Sequence, residues 1–260
     1  MYNVIVGKWN IWNLSYFMDG AELQGRRTAK FMDFHAFNNS NISFPRIKQV
    51  FQINPMAYSY NFMSNSTLKL TKTLEKTGIT SSIIKTDFED VHTGVLLASR
   101  YVKVVGMNTS TRKPIRNPDW YIDKYSYLKV NNVPPELTEK SVIPKFPIDC
   151  FIYQTIVRHS DLDFNFHTNQ SVYLKMCLDC ASAASSSGKL VTFSGDMCWY
   201  HLLYADITYI GESFAGDTLD ICVWQEEIDP STLKFLILKN EREITYAIFK
   251  FSLNKTTAKL

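Results

Sequence analysis

Between residues 158 and 170 the chain concentrates groups that can move protons or hydrogen-bond a polar substrate. Arg158, His159, Asp161, Asp163, Asn165, His167, Asn169 and Gln170 fall in that stretch, interrupted by Leu162, Phe164 and Phe166. A carboxylate or an imidazole with a near-neutral pKa can take a proton from water. Amide side chains, and the backbone N–H groups at a helix start, can steady a developing oxyanion. The plainer reading is a capped turn, with Thr168 or Asn169 as the N-cap of a following helix. Polar groups this dense are costly to bury without partners, so either reading requires a defined local structure.

A second constellation is Cys177-x-x-Cys180 with Cys198-x-x-His201, a zinc-like spacing. Cys177 and Cys180 lie inside a helical pattern with Val172, Tyr173, Met176 and Leu178, whereas zinc knuckles occupy Gly-containing turns. Cysteine is also a common small buried hydrophobe, so core packing is expected and no metal site is assigned. The five cysteines (Cys150, Cys177, Cys180, Cys198, Cys222) form an odd set without a secretory signal, which points to reduced thiols. His35 and His92 have no partners in sequence. There is no Gly-rich phosphate loop and no Gly-x-Ser-x-Gly elbow, which disfavours nucleotide chemistry and serine-hydrolase chemistry.

The 260 residues fit one large domain or two smaller ones. Hydrophobic residues at 45% and charged residues at 20% are those of a globular protein, and aromatics at 14% suit strands packed on a core. A net charge of +3, with no Lys/Arg run beyond two residues, excludes nucleic acid as the expected partner. No apolar run is long enough for a membrane span, and residues 1–12 resemble neither a signal nor a transit peptide. A cytoplasmic protein is expected, with an organelle as the alternative. The sequons at Asn13 and Asn65 then carry no sugar.

The elements that must hold the polar cluster follow from periodicity. Six of nine prolines fall between Pro114 and Pro147 and mark residues 108–149 as a linker that could carry a short helix near 135–143. Before it, a helix over 12–34 is followed by strands at 57–63, 67–75, 81–88 and 95–107; Leu68, Leu70 and Leu74 share one parity. After it come a strand at 150–158, the polar turn, and a helix at 169–186 closed by Gly188. Further strands follow at 203–212, 218–226, 233–239 and 244–253. The segments from Thr67 and from Thr218 have similar patterns 151 residues apart, as do the strand pairs that follow them. This predicts an α+β chain made of a repeated unit, a long helix wrapped by a curved antiparallel sheet.

The stretch SDLDFNFHTNQSVYL resembles the signature of plant and bacterial acyl-ACP thioesterases, Asp-x-Asp-x-Asn-x-His-x-Asn-Asn-x-x-Tyr. The matching residues are Asp163, Asn165 and His167, with Asn169 and Tyr173 continuing the motif. ITYIGESFAGDTL resembles the stretch in which a catalytic Glu follows a Tyr by three positions, which matches Tyr209 and Glu212. VVGMNTSTRKPIRNP is similar to the end of the family's first domain. Two departures stand out: Gln170 replaces the second Asn, and Ser213 replaces the usual Cys after the Glu, which excludes a thiol mechanism there. Residues 7–12 hold no second Asp-x-Asn-x-His, so one site per chain is expected.

The resemblance implies two tandem hotdog domains, residues 1–110 and 149–260, joined by the linker 111–148. It implies hydrolysis of a fatty acyl thioester of acyl carrier protein or CoA, in fatty acid biosynthesis, without cofactor or metal. Asp163, Asn165, His167 and Glu212 would be catalytic, and Asn169 and Tyr173 would bind substrate. Thioester hydrolysis needs an activated water and a polarised carbonyl, while a thiolate leaves readily; either Glu212 or His167 could be the base. The acyl chain would lie in an apolar channel between helix and sheet. The basic residues Arg112, Lys113 and Arg116 could attract an acidic carrier, although an ordinary solvated linker explains them as well. A double hotdog can be self-contained, and some members pair further as homodimers. The alternative is an acyl-binding or scaffold protein that kept the fold and lost turnover. A hotdog dehydratase ranks last, because it needs an Asp/His pair placed across the fold.

Overall fold

The computed structural model describes residues 2–3, 8–28, 31–37, 40–58, 67–128 and 133–255. In chain order the elements begin with β1 (Tyr2–Asn3), β2 (Lys8–Trp9), α1 (Ile11–Thr28), β3 (Ile42–Ser43) and β4 (Arg46–Ile53). They continue with β5 (Leu68–Thr77), β6 (Ser81–Asp90), β7 (Leu96–Val105), β8 (Met107–Asn108), α2 (Asp119–Tyr125) and α3 (Pro135–Thr138). The remainder are β9 (Phe151–Ile156), α4 (Gln170–Ser186), β10 (Tyr200–Tyr209), β11 (Thr218–Gln225), β12 (Thr232–Lys239) and β13 (Arg242–Lys255). Two compact units interleave along the chain. The first comprises Phe17–Asn54 and Tyr60–Ser141, the second Met1–Tyr16, Pro55–Ser59 and Val142–Leu260.

In the first unit, β5, β6, β7 and β4 pair antiparallel in that order, with Leu70 opposite Phe88, Ile84 opposite Val102 and Val50 opposite Tyr101. On β5 one parity is covered from Leu68 to Leu74, as the Leu68, Leu70, Leu74 alternation requires, and the parity changes at the bulge that follows, whereas β6 and β7 are buried along most of their length. Met32, Phe37, Leu74, Ile84, Val102, Val104 and Tyr121 form a core cluster here. The helix expected over 12–34 stops earlier. Thr28 ends α1, and Phe31–Phe37 forms a 3-10 turn in which Met32 and Asp33 have φ of 57° and 49°. A left-handed backbone cannot continue an α-helix.

Three further differences come from long-range packing. Strand β4 carries no clean alternation in RIKQVFQI, and residues 48–51 are all buried, so its period is hidden. Ala57 and Tyr58 lie in a 3-10 turn, Pro55–Tyr58, and the rest of the strand expected at 57–63 lies outside the described residues. The Pro-rich stretch does more than run over the surface. Tyr121 of α2 and Leu137 of α3 are fully buried, because an aromatic and a leucine in short helices can cap a core that the sheet leaves open.

In the second unit the antiparallel order is β10, β13, β12, β11, β9. Ile207 faces Ala247, Phe235 faces Ala247, Val223 faces Phe235 and Ile221 faces Tyr153. Helix α4 lies against β11 and β9, burying Val172, Leu174, Cys177, Cys180, Ala181 and Ala184. Small residues on this face let the helix approach the sheet closely. Gly188, at φ 71°, closes the helix: Lys189 N–H reaches Ala184 O at 2.9 Å and Gly188 N–H reaches Ser185 O at 3.1 Å. That Schellman pattern requires a residue at ease with positive φ.

The repeat expected from sequence is visible in the connections. The order β5, β6, β7, β4 corresponds to β11, β12, β13, β10, and in each case a long helix precedes the strand that closes the series. The second unit adds β9 beside β11. The class is a mixed α and β fold dominated by antiparallel sheet. Among the described residues no helix is long and apolar enough to cross a membrane.

Candidate active site

The polar run folds into a pinned loop. Arg158 N–H donates to the Asp161 carboxylate at 2.8 Å, shaping a 3-10 turn over His159–Asp161. The next residues turn back on themselves. Asp163 N–H donates to His167 O at 2.8 Å, while Asp163 Oδ1 accepts the N–H groups of Asn165 at 2.8 Å and His167 at 3.3 Å. The Asp163 carboxylate thus organises the loop from inside, as an Asx turn does. Phe166 reaches φ 62° at the tip, where Phe164, Asn165 and Phe166 are exposed.

Helix α4 starts directly after this loop. Asn169 is the N-cap, its Oδ1 accepting Ser171 N–H at 2.8 Å, and its own N–H is held by Asp161 O at 2.8 Å. Of the two N-cap candidates, the amide is the one used. Thr168 points elsewhere, toward the segment after β10. Its N–H donates to Ser213 O at 2.8 Å, and its Oγ1 lies 2.7 Å from Ser213 Oγ. Tyr173 OH lies 2.9 Å from the other side of Ser213 Oγ.

That segment is itself fixed. Ile210 and Gly211 N–H both reach Ile244 O, at 2.9 and 3.0 Å. A side chain on Gly211 would meet Ile244 Cγ2 at 2.9 Å, so only glycine lets the chain pass this close. Downstream, Phe214 N–H donates to Asp217 at 2.7 Å and Lys239 Nζ lies 2.6 Å from the same carboxylate. Burial opposes the Asp217 charge, but Lys239 and the Phe214 N–H outweigh it and hold its carboxyl below the usual range.

These two anchored segments bring His167 and Glu212 together. His167 Nδ1 lies 3.6 Å from Glu212 Oε1, and the side chains keep 30% and 39% of their surface exposed. The separation exceeds a good hydrogen bond but allows a proton to be shared through small motions or one water. Phe214 packs T-shaped against the imidazole, with centroids 5.1 Å apart at 85°. The geometry provides an imidazole and a carboxylate, side by side and open to water.

Each residue anticipated from the sequence now has a place. Asp163 lies in the loop as an organiser, Asn165 is exposed on it, and His167 and Glu212 face each other. Asn169 and Tyr173, the expected substrate contacts, are both engaged within the protein: Asn169 caps α4, and Tyr173 is buried with its hydroxyl on Ser213. Ser213 and Gly211 were not anticipated as supports. Only the adjacency of Ser213 to Glu212, and of Thr168 to His167, hints at them in sequence.

The cysteines pack as small hydrophobes. Cys177 and Cys180 are buried, Cys180 donates to Ile221 O at 3.3 Å, and burial raises both thiol pKa values. His201 stacks on Tyr58 at 4.1 Å with planes 7° apart. A cavity of about 480 Å³ in the second unit is lined by Trp12, Tyr58, Leu178, Met197 and Phe251 together with Asp179 and Asp196. Two carboxylates make it more polar than the apolar channel expected for an acyl chain.

The fold and the domain that holds these residues both have known counterparts. The family model described as the acyl-ACP thioesterase C-terminal domain matches residues 149–253, which hold the whole site. The resemblance to acyl-ACP thioesterases is thereby shown over those residues. Among solved structures, the 12:0-ACP thioesterase from Umbellularia californica is similar over 94% of this chain and 90% of its own, with 15% identity and a TM-score of 0.74. An acyl-ACP thioesterase from Bacteroides thetaiotaomicron is similar over 95% and 91%, with 16% identity and a TM-score of 0.70. At such identities the likeness speaks for the fold. No curated protein sequence matches the chain.

Proposed function

We propose that the chain is a thioesterase that hydrolyses a fatty acyl thioester of acyl carrier protein, or of CoA, to a free fatty acid and a thiol. The observation that carries the reading is the His167–Glu212 pair, 3.6 Å apart, with His167 on the Asp-x-Asn-x-His loop and Glu212 on the segment after β10, both inside the matched domain. The repeated order of strands supports two tandem hotdog domains, 1–110 and 149–260, with 111–148 between them.

In this reading a water beside the pair gives a proton to Glu212 or His167, and its oxygen attacks the thioester carbonyl carbon. The C–S bond breaks, and the sulfur leaves as a thiolate and takes the proton back as a free thiol. The neighbouring member of the pair compensates the charge that its partner gains or loses. Asn165, exposed on the loop, orients water or substrate, while Asp163 keeps the loop in shape. Asn169 and Tyr173 act through the frame rather than on substrate.

The test is thiol release from a panel of acyl-ACP and acyl-CoA substrates of graded chain length, with the acid product identified. Turnover by the wild-type chain that falls about 100-fold or more in His167→Ala and in Glu212→Ala is the expected result, in line with the usual contribution of a general base. Unchanged turnover in both variants would overturn the site. Binding of acyl ligands without any turnover would make the chain an acyl-binding protein.

A further inference from the structure

We propose that Ser213, at the position where the resembled family has cysteine, is a positioning residue that sets the distance between His167 and Glu212. The inference rests on the thioesterase reading and deepens it. Three hydroxyls are linked through Ser213: Tyr173 OH lies 2.9 Å and Thr168 Oγ1 2.7 Å from Ser213 Oγ. All three residues are buried, Ser213 completely. Thr168 Oγ1 also donates to Ser213 O at 3.0 Å. A hydroxyl has one proton, so this last bond fixes the direction of the others. Thr168 donates to the Ser213 carbonyl and accepts from Ser213 Oγ–H, which in turn accepts from Tyr173 O–H. Chains of hydrogen bonds with one direction polarise and strengthen each other in a dry site.

The chain's ends matter because of their neighbours. Thr168 follows His167 and Ser213 follows Glu212 directly, so the clip between 168 and 213 ties the two backbones one residue from each reacting side chain. The backbone bond from Thr168 N–H to Ser213 O at 2.8 Å completes it. Tyr173, one turn into α4, references the clip to the helix. Ser213 therefore neither attacks substrate nor titrates, since its hydroxyl is enclosed and both its donor and an acceptor lone pair are used. Cysteine fits the same space but makes longer, weaker hydrogen bonds, so serine gives this chain the tighter clip.

The experiment compares full-length wild type with Ser213→Ala, Ser213→Cys and Tyr173→Phe. Turnover is measured with an acyl thioester accepted by the wild type, and the His167 imidazole titration is followed by NMR without substrate. Ser213→Ala should lose about 10- to 100-fold in kcat with KM within about twofold, the penalty of slight misplacement in a catalytic pair. Ser213→Cys should recover part of that loss, and Tyr173→Phe should lose less than Ser213→Ala. The imidazole titration should shift in Ser213→Ala, because its distance to the Glu212 carboxylate changes. Wild-type kcat and an unshifted titration in a folded Ser213→Ala protein would overturn the proposal, as would an acyl adduct trapped on Ser213. If the wild type hydrolyses nothing, the thioesterase reading fails, and the imidazole titration still decides the positioning role.

Discussion

The two units handle ionised side chains in opposite ways. In the first, α1 lowers Asp19 and Glu22 onto the sheet, where Arg46, Arg100 and Lys72 enclose them. Arg100 reaches Asp19 at 2.6 Å and Glu22 at 3.5 Å; Arg46 reaches the same two at 2.6 and 3.0 Å; Lys72 reaches Glu22 at 3.2 Å. Arg100 is wholly buried and Glu22 nearly so. In the second unit His167, just before α4, and Glu212, after β10, both lie in loops, with 30% and 39% exposure and 3.6 Å between them. The closed set holds two carboxylates among three cations, with Arg100 and Glu22 shielded from water. An open pair has groups that can still exchange protons with water. On the proposed reading, the chemistry belongs to the open pair, although both halves are rich in charge.

The comparison sharpens if the closed set proves to be structural. Arg100→Met should destabilise the chain by about 3–5 kcal/mol, because Asp19 and Glu22 would remain buried with less compensation. Urea unfolding would show it, and turnover per folded molecule should match the wild type. A fully stable Arg100→Met protein would show that the set contributes no net stability. Gly211→Ala tests the open pair from the other side. Its Cβ would lie 2.9 Å from Ile244 Cγ2, so Glu212 must shift. A cost of about 1–3 kcal/mol and a loss of turnover exceeding that of Arg100→Met are expected.

Smaller effects refine the same contrast. Asn169→Ala removes the cap of α4 and should cost about 1 kcal/mol in thermal or urea unfolding, with Asn169→Asp nearly neutral. Tyr246 in the second unit is pushed up to about 12, by burial first and by Asp206 second. The unfolded chain ionises its phenols near 10, so the stability held by the protonated Tyr246 is complete below that value and is lost as pH rises from about 10 to about 12. Absorbance of phenolate, followed with circular dichroism, should show Tyr246 ionising together with unfolding. Least costly to the protein is thiol labelling. Cys222 is pushed up to about 12 by burial, with the neighbouring Cys150 adding to it, and Cys177 and Cys180 are buried. Alkylation at pH 8 should modify Cys198 first and leave these three until the fold opens.

Local patterns carried much of the second unit. The strands from Thr218 onward, the helix with its Asn169 cap and Gly188 close, and the motif around His167 follow from near neighbours in sequence. The approach of Glu212 to His167 spans 45 residues and was available only through resemblance. The hydroxyl clip of Thr168, Ser213 and Tyr173 was hidden for the same reason: no period or spacing signals a contact between a helix start and a strand end. Strand β4 escaped because burial on both faces erases alternation. The ionic set on α1 escaped because Asp19, Glu22, Arg46, Lys72 and Arg100 are unremarkable singly, and only folding places them together.

The proposed assignment of turnover to the His167–Glu212 pair stands or falls with Glu212→Gln. The substitution keeps shape and removes the carboxylate. Thiol release from the best acyl thioester, with folding checked by circular dichroism, should fall at least about 100-fold with little change in KM. Turnover at the wild-type level would place the chemistry on residues other than this pair.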